Sequence, residues 1–160
     1  MKLPRKLSFR EYKYLTDPKF KRLFNRPYKV VKTFDVPYVG GYSKDGSTVY
    51  FDRHANLKMP NGKDIQKFLE MHEKVEKALI DGFGLKYQQA HLIATAVEHD
   101  AVVQAGINWE KYSRFIDKYI KLDGHEKLTN VPKDLDLKPY KDERDNRLVI
   151  TLGKMEKAKV

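Results

Sequence analysis

The chain has no cysteine among its 160 residues. This absence excludes disulfide bonds, thiolate catalysis and cysteine-ligated zinc, so any bound metal must be held by histidine and carboxylate side chains. No apolar run approaches the ~20 residues that a membrane-spanning helix needs, so we expect no membrane partner. The basic N-terminus also lacks the apolar stretch of a secretory signal. We therefore expect a cytoplasmic protein, or a virion component if a phage encodes the chain.

Acidic residues are in deficit, with 22 Asp and Glu against 32 Lys and Arg, which gives a formal net charge of +10. The excess of positive charge is clearest in residues 1–32, where aromatic residues alternate with basic ones. A segment of this kind can neutralise phosphates and stack bases, or it can bind another protein through its aromatic side chains. Nucleic acid and neighbouring protein subunits are therefore the partners expected for residues 1–32.

Strand and turn patterns predict a small sheet in the first third of the chain. Residues 28–36 are rich in β-branched and aromatic side chains and indicate a strand, which Gly40 and Gly41 interrupt. Residues 38–53 indicate a hairpin, because an Asp-Gly turn separates two stretches with strand character. The sheet that follows from these patterns is antiparallel.

Three helices are predicted after the hairpin, because apolar residues recur there at helical spacing between asparagine, aspartate and glycine residues that mark helix ends. The predicted helices cover residues 64–82, 87–105 and 108–122. Together these elements predict an α+β fold, with a small antiparallel sheet packed beside a three-helix core and extended arms at both termini. The predicted regions are a basic aromatic arm with a short helix (1–27), an α+β core domain with a metal site (28–122) and an extended C-terminal wrapping segment (123–160).

Two of the predicted helices carry polar residues on their inward faces. His72 and Glu76 lie one turn apart in an apolar stripe, and His91 and Glu98 lie two turns apart on one face of the next helix. A buried ionised carboxylate costs on the order of several kcal/mol unless it is paired or coordinates a metal, and no lysine or arginine shares either stripe. The pattern favours a metal site with these four residues as ligands. The alternative is a hydrogen-bonded network that pairs His72 with Glu98, or His91 with Glu76.

The sequence HEKVE at 72–76 resembles the HExxH helix of zincin metallopeptidases, with glutamate in place of the second histidine. The resemblance implies that His72 and Glu76 bind the metal and that Glu73 is the catalytic general base that activates water. It also implies a third ligand from a downstream helix, which would be His91 or Glu98. A divalent metal is expected, with zinc as the first expectation and iron or manganese as alternatives that suit carboxylate-rich sites.

The resemblance also extends to substrate binding. The hairpin before the HEKVE helix is similar to the zincin edge strand that aligns an extended substrate. Val49, Tyr50 and Phe51 would then bind a peptide-like substrate by edge pairing, and His54 would line the same cleft.

The first functional expectation is therefore a metal-dependent hydrolase, a zincin-like peptidase or amidase. One alternative is a non-enzymatic structural or assembly protein of a phage particle, in which the polar core is vestigial or purely structural. Extended segments at both ends favour this alternative, and the chain loosely resembles small uncharacterised proteins encoded by bacteria and their phages. The other alternative is a basic nucleic-acid-binding module.

Overall fold

A computed structural model of the protein describes residues 3–123 and 128–142. The elements in these residues are α1 Phe9–Thr16, α2 Pro18–Phe24, β1 Lys29–Val31, β2 Gly40–Tyr42, β3 Thr48–Phe51, α3 Gln66–Phe83, α4 Tyr87–Gln104, α5 Trp109–Asp123 and α6 Lys138–Asp142. The predicted α+β fold is confirmed. None of the helices in the described residues is both long and apolar enough to span a membrane. Most of the predicted C-terminal region, 123–160, lies outside the described residues.

The sheet has the strand order β1-β3-β2 and is mixed rather than antiparallel. β2 and β3 form the predicted antiparallel hairpin, but β1 runs parallel to β3, with Lys29 opposite Thr48. The reason is the loop 32–39, which reverses the chain between β1 and β2. The hairpin then brings β3 back in the direction of β1 and inserts it between the other two strands.

Gly40 and Gly41 form the edge strand β2, whereas the sequence pattern predicted that they interrupt a strand. Close packing explains why glycine is needed there. A Cβ atom on Gly40 would lie 2.9 Å from the carbonyl oxygen of Tyr50, and one on Gly41 would lie 3.0 Å from a methyl group of Leu135. The missing side chains therefore allow the hairpin and the C-terminal segment to approach each other closely.

The three helices after the hairpin agree with the predicted bounds to within two residues at each end. The side chain of Asn108 caps α5 by accepting a hydrogen bond from the Lys111 N–H. At α3 the N-cap residue is Ile65, which has no capping side chain, and Asp64 before it accepts a hydrogen bond from the Gln66 N–H. Gly84, with a φ of 63°, ends α3 in the left-handed conformation. Helices α3 and α4 then pack through one core, which contains Val75, Ala78, Leu79, Ala90, Ile93 and Ala94.

The N-terminal region forms two helices, α1 and α2, rather than an extended arm with one short helix. Ser8 and Glu11 form a capping box that starts α1, and Asp17 caps α2 directly before Pro18. Phe20 of α2 is buried in the core that α3 and α4 share. The two helices therefore pack against the core.

The C-terminal segment, residues 128–142, lies across the sheet and α3. The buried carboxylate of Asp35 accepts hydrogen bonds from the Thr129 and Asn130 N–H groups, at 2.8 and 2.9 Å. Lys77 of α3 forms an ion pair with Asp136 at 2.8 Å. These contacts place α6 beside α4 and close one side of the cavity described next.

Candidate metal centre

A cavity of about 390 Å³ lies between β2, α3, α4, α5 and α6. It is lined by all the residues predicted to bind metal or to act as the general base, namely His72, Glu73, Glu76, His91 and Glu98. Helix α3 supplies the first three from successive turns, and α4 supplies the other two. The packing of α3 against α4 therefore brings the two predicted polar faces together.

Three side chains converge most closely. His72 Nε2 lies 2.7 Å from Glu76 Oε2, and His91 Nδ1 lies 2.8 Å from the same oxygen. The two histidine nitrogens are 3.1 Å apart. His72 and Glu76 are buried, whereas the His91 side chain is 48% exposed, so the group is reached from solvent past His91.

The group formed by His72, Glu76 and His91 fits a divalent metal. Zinc bonds of ~2.0–2.2 Å in tetrahedral geometry place ligand atoms about 3.3 Å apart, so a movement of a few tenths of an ångström would admit the ion. Two histidines and one glutamate also form a ligand set that catalytic zinc sites use, and three protein ligands leave a position for water or substrate. The same nitrogen and oxygen donors suit iron and manganese.

Glu98 lies on the other side of the His72 ring from this group. Its Oε1 is 2.7 Å from His72 Nδ1, while its Oε2 accepts a hydrogen bond from the Tyr112 hydroxyl. Of the four predicted ligands, three therefore share one group, and Glu98 is placed to hold the orientation of the His72 ring. A carboxylate bound to the second nitrogen of a metal-ligating histidine is a common arrangement in metal sites.

Charges around His72 favour its protonated form in the metal-free protein. Burial alone would lower the pKa of His72, but the carboxylates of Glu98 and Glu76 outweigh it and raise the pKa well above its usual value. Burial would likewise raise the pKa of Glu76, yet the charge of His72 and hydrogen bonds with His72 and His91 hold it low. Both pairings of the alternative network, His72 with Glu98 and His91 with Glu76, are therefore present. A proton and a metal ion would compete for the same His72 nitrogen.

Glu73 differs from its neighbours because its carboxylate receives no hydrogen bond or ion pair from the residues that the structure describes. It lines the cavity one residue after His72. Burial, and then the charge of Glu76, raise the pKa of Glu73 to about 8, although His72 acts in the opposite direction. A carboxyl group with such a pKa can accept or donate a proton near neutral pH.

Tyrosine hydroxyl groups complete the site, and sequence reasoning assigned them no part in it. Tyr42 donates to Glu76 Oε1 at 3.1 Å, and Tyr112 donates to Glu98. Both tyrosines come from elements outside the two ligand-bearing helices, so no helical spacing connects them with the site. Tyr87, by contrast, lies 3.2 Å from His91 Nδ1 and four residues before it, a spacing that could have identified it.

The residues predicted to bind substrate lie elsewhere. Val49, Tyr50 and Phe51 belong to β3, which is buried and pairs with a strand on each side. The expectation that these residues pair with a substrate at a sheet edge is wrong, because β1 occupies the side that the predicted hairpin left open. His54 is exposed beyond the end of β3 and does not line the cavity.

The edge strand of the sheet next to the cavity is β2, and its three residues all line the cavity. The C-terminal segment covers one end of β2, where the Tyr42 carbonyl accepts a hydrogen bond from the Asp136 N–H at 2.9 Å. At Gly40 and Gly41, no strand in the described part of the chain pairs with the outer edge.

Comparison of the chain with protein-family models, with curated proteins and with solved structures gave no match. The chemistry of the site therefore follows from its own residues.

Proposed function

We propose that the protein is a metal-dependent hydrolase of the zincin-like type that cleaves a peptide or amide bond. The observation that carries this proposal is the convergence of His72, Glu76 and His91 at a cavity that also contains Glu73, whose carboxylate has no partner among the described residues. Zinc is the metal we propose, and iron or manganese would suit the same ligand atoms. A purely structural network would not need a solvent-accessible histidine or an unpaired carboxylate beside it.

Each residue of the site has a distinct role in this proposal. A bound divalent cation would polarise a substrate carbonyl group and acidify a water molecule. Glu73 would accept the proton of that water and pass it to the departing amine. Glu98 accepts a hydrogen bond from His72 Nδ1 and so keeps Nε2 directed at the group of ligands.

The edge of β2 supplies a surface for an extended substrate. Gly40 and Gly41 line the cavity, and no strand in the described residues pairs with their outer edge. A peptide-like substrate would therefore bind between β2 and the residues of α3 and α4.

The test begins with metal content. Purified protein would be dialysed exhaustively and analysed by plasma mass spectrometry beside His72→Ala and His91→Ala. We expect near-stoichiometric metal in the wild type and its loss in both variants. The metal-loaded protein would then be screened against a library of internally quenched fluorescent peptides. Absence of bound metal, with no thermal shift when zinc, iron(II) or manganese(II) is added, would reject the proposal.

Replacement of Glu73 by glutamine separates catalysis from metal binding. We expect turnover of the best peptide to fall by about 10²- to 10⁴-fold, because the general base is lost. Metal should remain bound, since His72, Glu76 and His91 are unchanged. The metal-free variant should also be more stable than the wild type at pH 7, on the order of 1–3 kcal/mol, because an ionised carboxyl no longer has to be neutralised on folding.

The matched control is Glu70→Gln, which makes the same change one turn earlier on α3, outside the cavity. It should leave turnover unchanged. Retained turnover in Glu73→Gln would remove Glu73 from the mechanism, whatever the metal content.

A further inference from the structure

The outer face of α1 carries aromatic and basic side chains that the core does not use. Phe9 is 77% exposed and Tyr12 is 51% exposed, and their spacing of three residues places them side by side on the helix. Arg10 and Lys13 are exposed next to them. In the described residues, no carboxylate pairs with either cation. We refer to these four residues as the α1 face.

The α1 face is presented by a firmly held helix. Beside this face, the ring of Tyr14 packs against Phe83 of α3, with 4.9 Å between the ring centres. The single carboxylate of α1, Glu11, is buried, caps the helix and is bound by two nitrogens of Arg5, at 2.9 and 2.8 Å. The acidic charge of α1 is therefore already neutralised, and the charge of the α1 face is positive.

A depression of about 500 Å³ lies beside this face. It is lined by Phe9, Arg10, Lys13, Tyr14, Asp17 and Phe83. Its one carboxylate, that of Asp17, accepts a hydrogen bond from the Lys19 N–H at the start of α2. Further exposed cations continue from the depression along α2, namely Lys19, Lys21 and Arg22. The surface thus combines exposed aromatic rings with a track of positive charge, and Lys13 Nζ lies over one face of the Phe9 ring, 5.2 Å from its centre.

We infer that the α1 face binds single-stranded nucleic acid, with bases stacked on Phe9 and Tyr12 and phosphates bound by Arg10 and Lys13. Charge complementarity supports this partner, because the chain has a net charge of +10 and the α1 face has no free carboxylate. Exposed rings interleaved with cations suit unpaired bases, whereas the bases of a duplex are already stacked on one another. A membrane-binding helix would instead separate its apolar and basic residues on opposite sides. This inference does not depend on the proposed hydrolase activity.

Fluorescence anisotropy of a labelled 15-nucleotide oligo(dT) with the full chain tests the inference. We expect binding that weakens steeply between about 50 and 200 mM salt. Phe9→Ala should weaken binding by about tenfold, and Phe9→Trp should restore it because a flat ring is present again. Arg10→Gln/Lys13→Gln should weaken binding and reduce the slope of log affinity against log salt by about 1.4, which corresponds to two lost phosphate contacts.

The matched control is Lys111→Gln/Lys118→Gln, which removes the same charge from exposed positions on α5. Because Phe9 is exposed, Phe9→Ala should keep the wild-type melting temperature, and this excludes unfolding as the cause of weaker binding. Equal affinity for duplex DNA, equal losses in the α5 control, or an unchanged affinity in Phe9→Ala would overturn the inference. Binding to vesicles that contain phosphatidylserine without any binding to oligo(dT) would also overturn it and indicate a membrane partner.

Discussion

At the scale of single residues, Glu98 determines which nitrogen of His72 faces the group of ligands. Its carboxylate lies against Nδ1 and is itself held by the Tyr112 hydroxyl. With Nδ1 engaged, Nε2 is the nitrogen left to face Glu76 and His91. In the proposed metal site, the order of these contacts assigns Glu98 the role of a positioning residue rather than a fourth ligand.

We therefore expect Glu98→Gln to reduce metal affinity by about 10- to 100-fold without abolishing binding. The amide can still accept a hydrogen bond from Nδ1–H, but it no longer supplies the negative charge that makes the imidazole a stronger ligand. Competition with a chromophoric chelator would measure the change. Tyr112→Phe should have a smaller effect, because Glu98 stays in place. Complete loss of metal in Glu98→Gln would show that Glu98 coordinates the ion directly.

Much of this site could be predicted from the sequence, because helical spacing alone places His72 and Glu76 on one inward stripe. The approach of His91 and Glu98 follows from the packing of consecutive helices. The side of the His72 ring that each carboxylate contacts could not be predicted, since it depends on the angle at which α3 and α4 pack. The contribution of Tyr42 arises from the sheet and has no local sequence signal.

At the scale of elements, Lys77 joins α3 to the C-terminal segment that closes the cavity. It is 4% exposed and forms ion pairs with Asp136 at 2.8 Å and with Asp81 at 3.1 Å. The segment it holds contributes Pro139 and Tyr140 to the cavity wall. This buried lysine therefore holds the C-terminal segment against the cavity.

Lys77→Met should lower the free energy of unfolding by about 1–3 kcal/mol, because the carboxylate of Asp136 loses its partner while it remains largely buried. Urea denaturation would measure this loss, and limited proteolysis would show whether cleavage begins in residues 128–142. Lys67→Met, at an exposed position of the same helix, should change stability by less than about 0.5 kcal/mol. If Lys77→Met/Asp136→Leu is no more stable than Lys77→Met, the unpaired carboxylate is not the cause.

The sheet shows where prediction from the sequence failed. The hairpin was visible because its Asp-Gly turn is a local signal. The parallel pairing of β1 with β3 is not local, because it depends on the loop 32–39, in which Asp35 is anchored by Thr129 and Asn130 from almost a hundred residues away. Because the pairing of β1 with β3 was not predicted, β3 was wrongly expected to be an edge strand that binds substrate.

At the scale of the whole molecule, the positive charge and the cavity are separated. No lysine or arginine lines the cavity within the described part of the chain, whereas the α1 face is basic. Ionisable groups in different parts of the fold also make stability depend on pH in two opposite ways.

The metal-free protein should be most stable near pH 5. Below about pH 4, protonation removes the stability that Asp35 and Glu11 contribute, because both have a lowered pKa in the folded chain. Burial would raise the pKa of Asp35, but hydrogen bonds from Thr129 and Asn130 outweigh it. The pKa of Glu11 is lowered by its hydrogen bonds with Arg5. Above pH 5, stability should fall, because the raised pKa of Glu73 means that the folded chain must keep a proton that the unfolded chain releases.

Urea denaturation in a chelator at pH 3.5, 5, 6.5 and 8 would measure this profile. Glu73→Gln should flatten the decline between pH 5 and about 6.5 and leave the acid side unchanged, whereas the raised pKa of His72 should keep a decline above that pH in both proteins. A wild-type stability that rises steadily from pH 5 to 8 would contradict the assignment of a raised pKa to Glu73. Excess zinc should reverse the decline, because deprotonated ligands bind the metal more tightly.

The single tryptophan of the chain provides an optical consequence of this architecture. Trp109 lines the cavity and stacks on Tyr112, with 5.5 Å between the ring centres, and Tyr112 in turn contacts Glu98. The tryptophan emission of the protein therefore arises from one fluorophore beside the site. A paramagnetic ion such as cobalt(II) or copper(II) in the site would quench that emission, so occupancy can be followed in the unlabelled protein in real time.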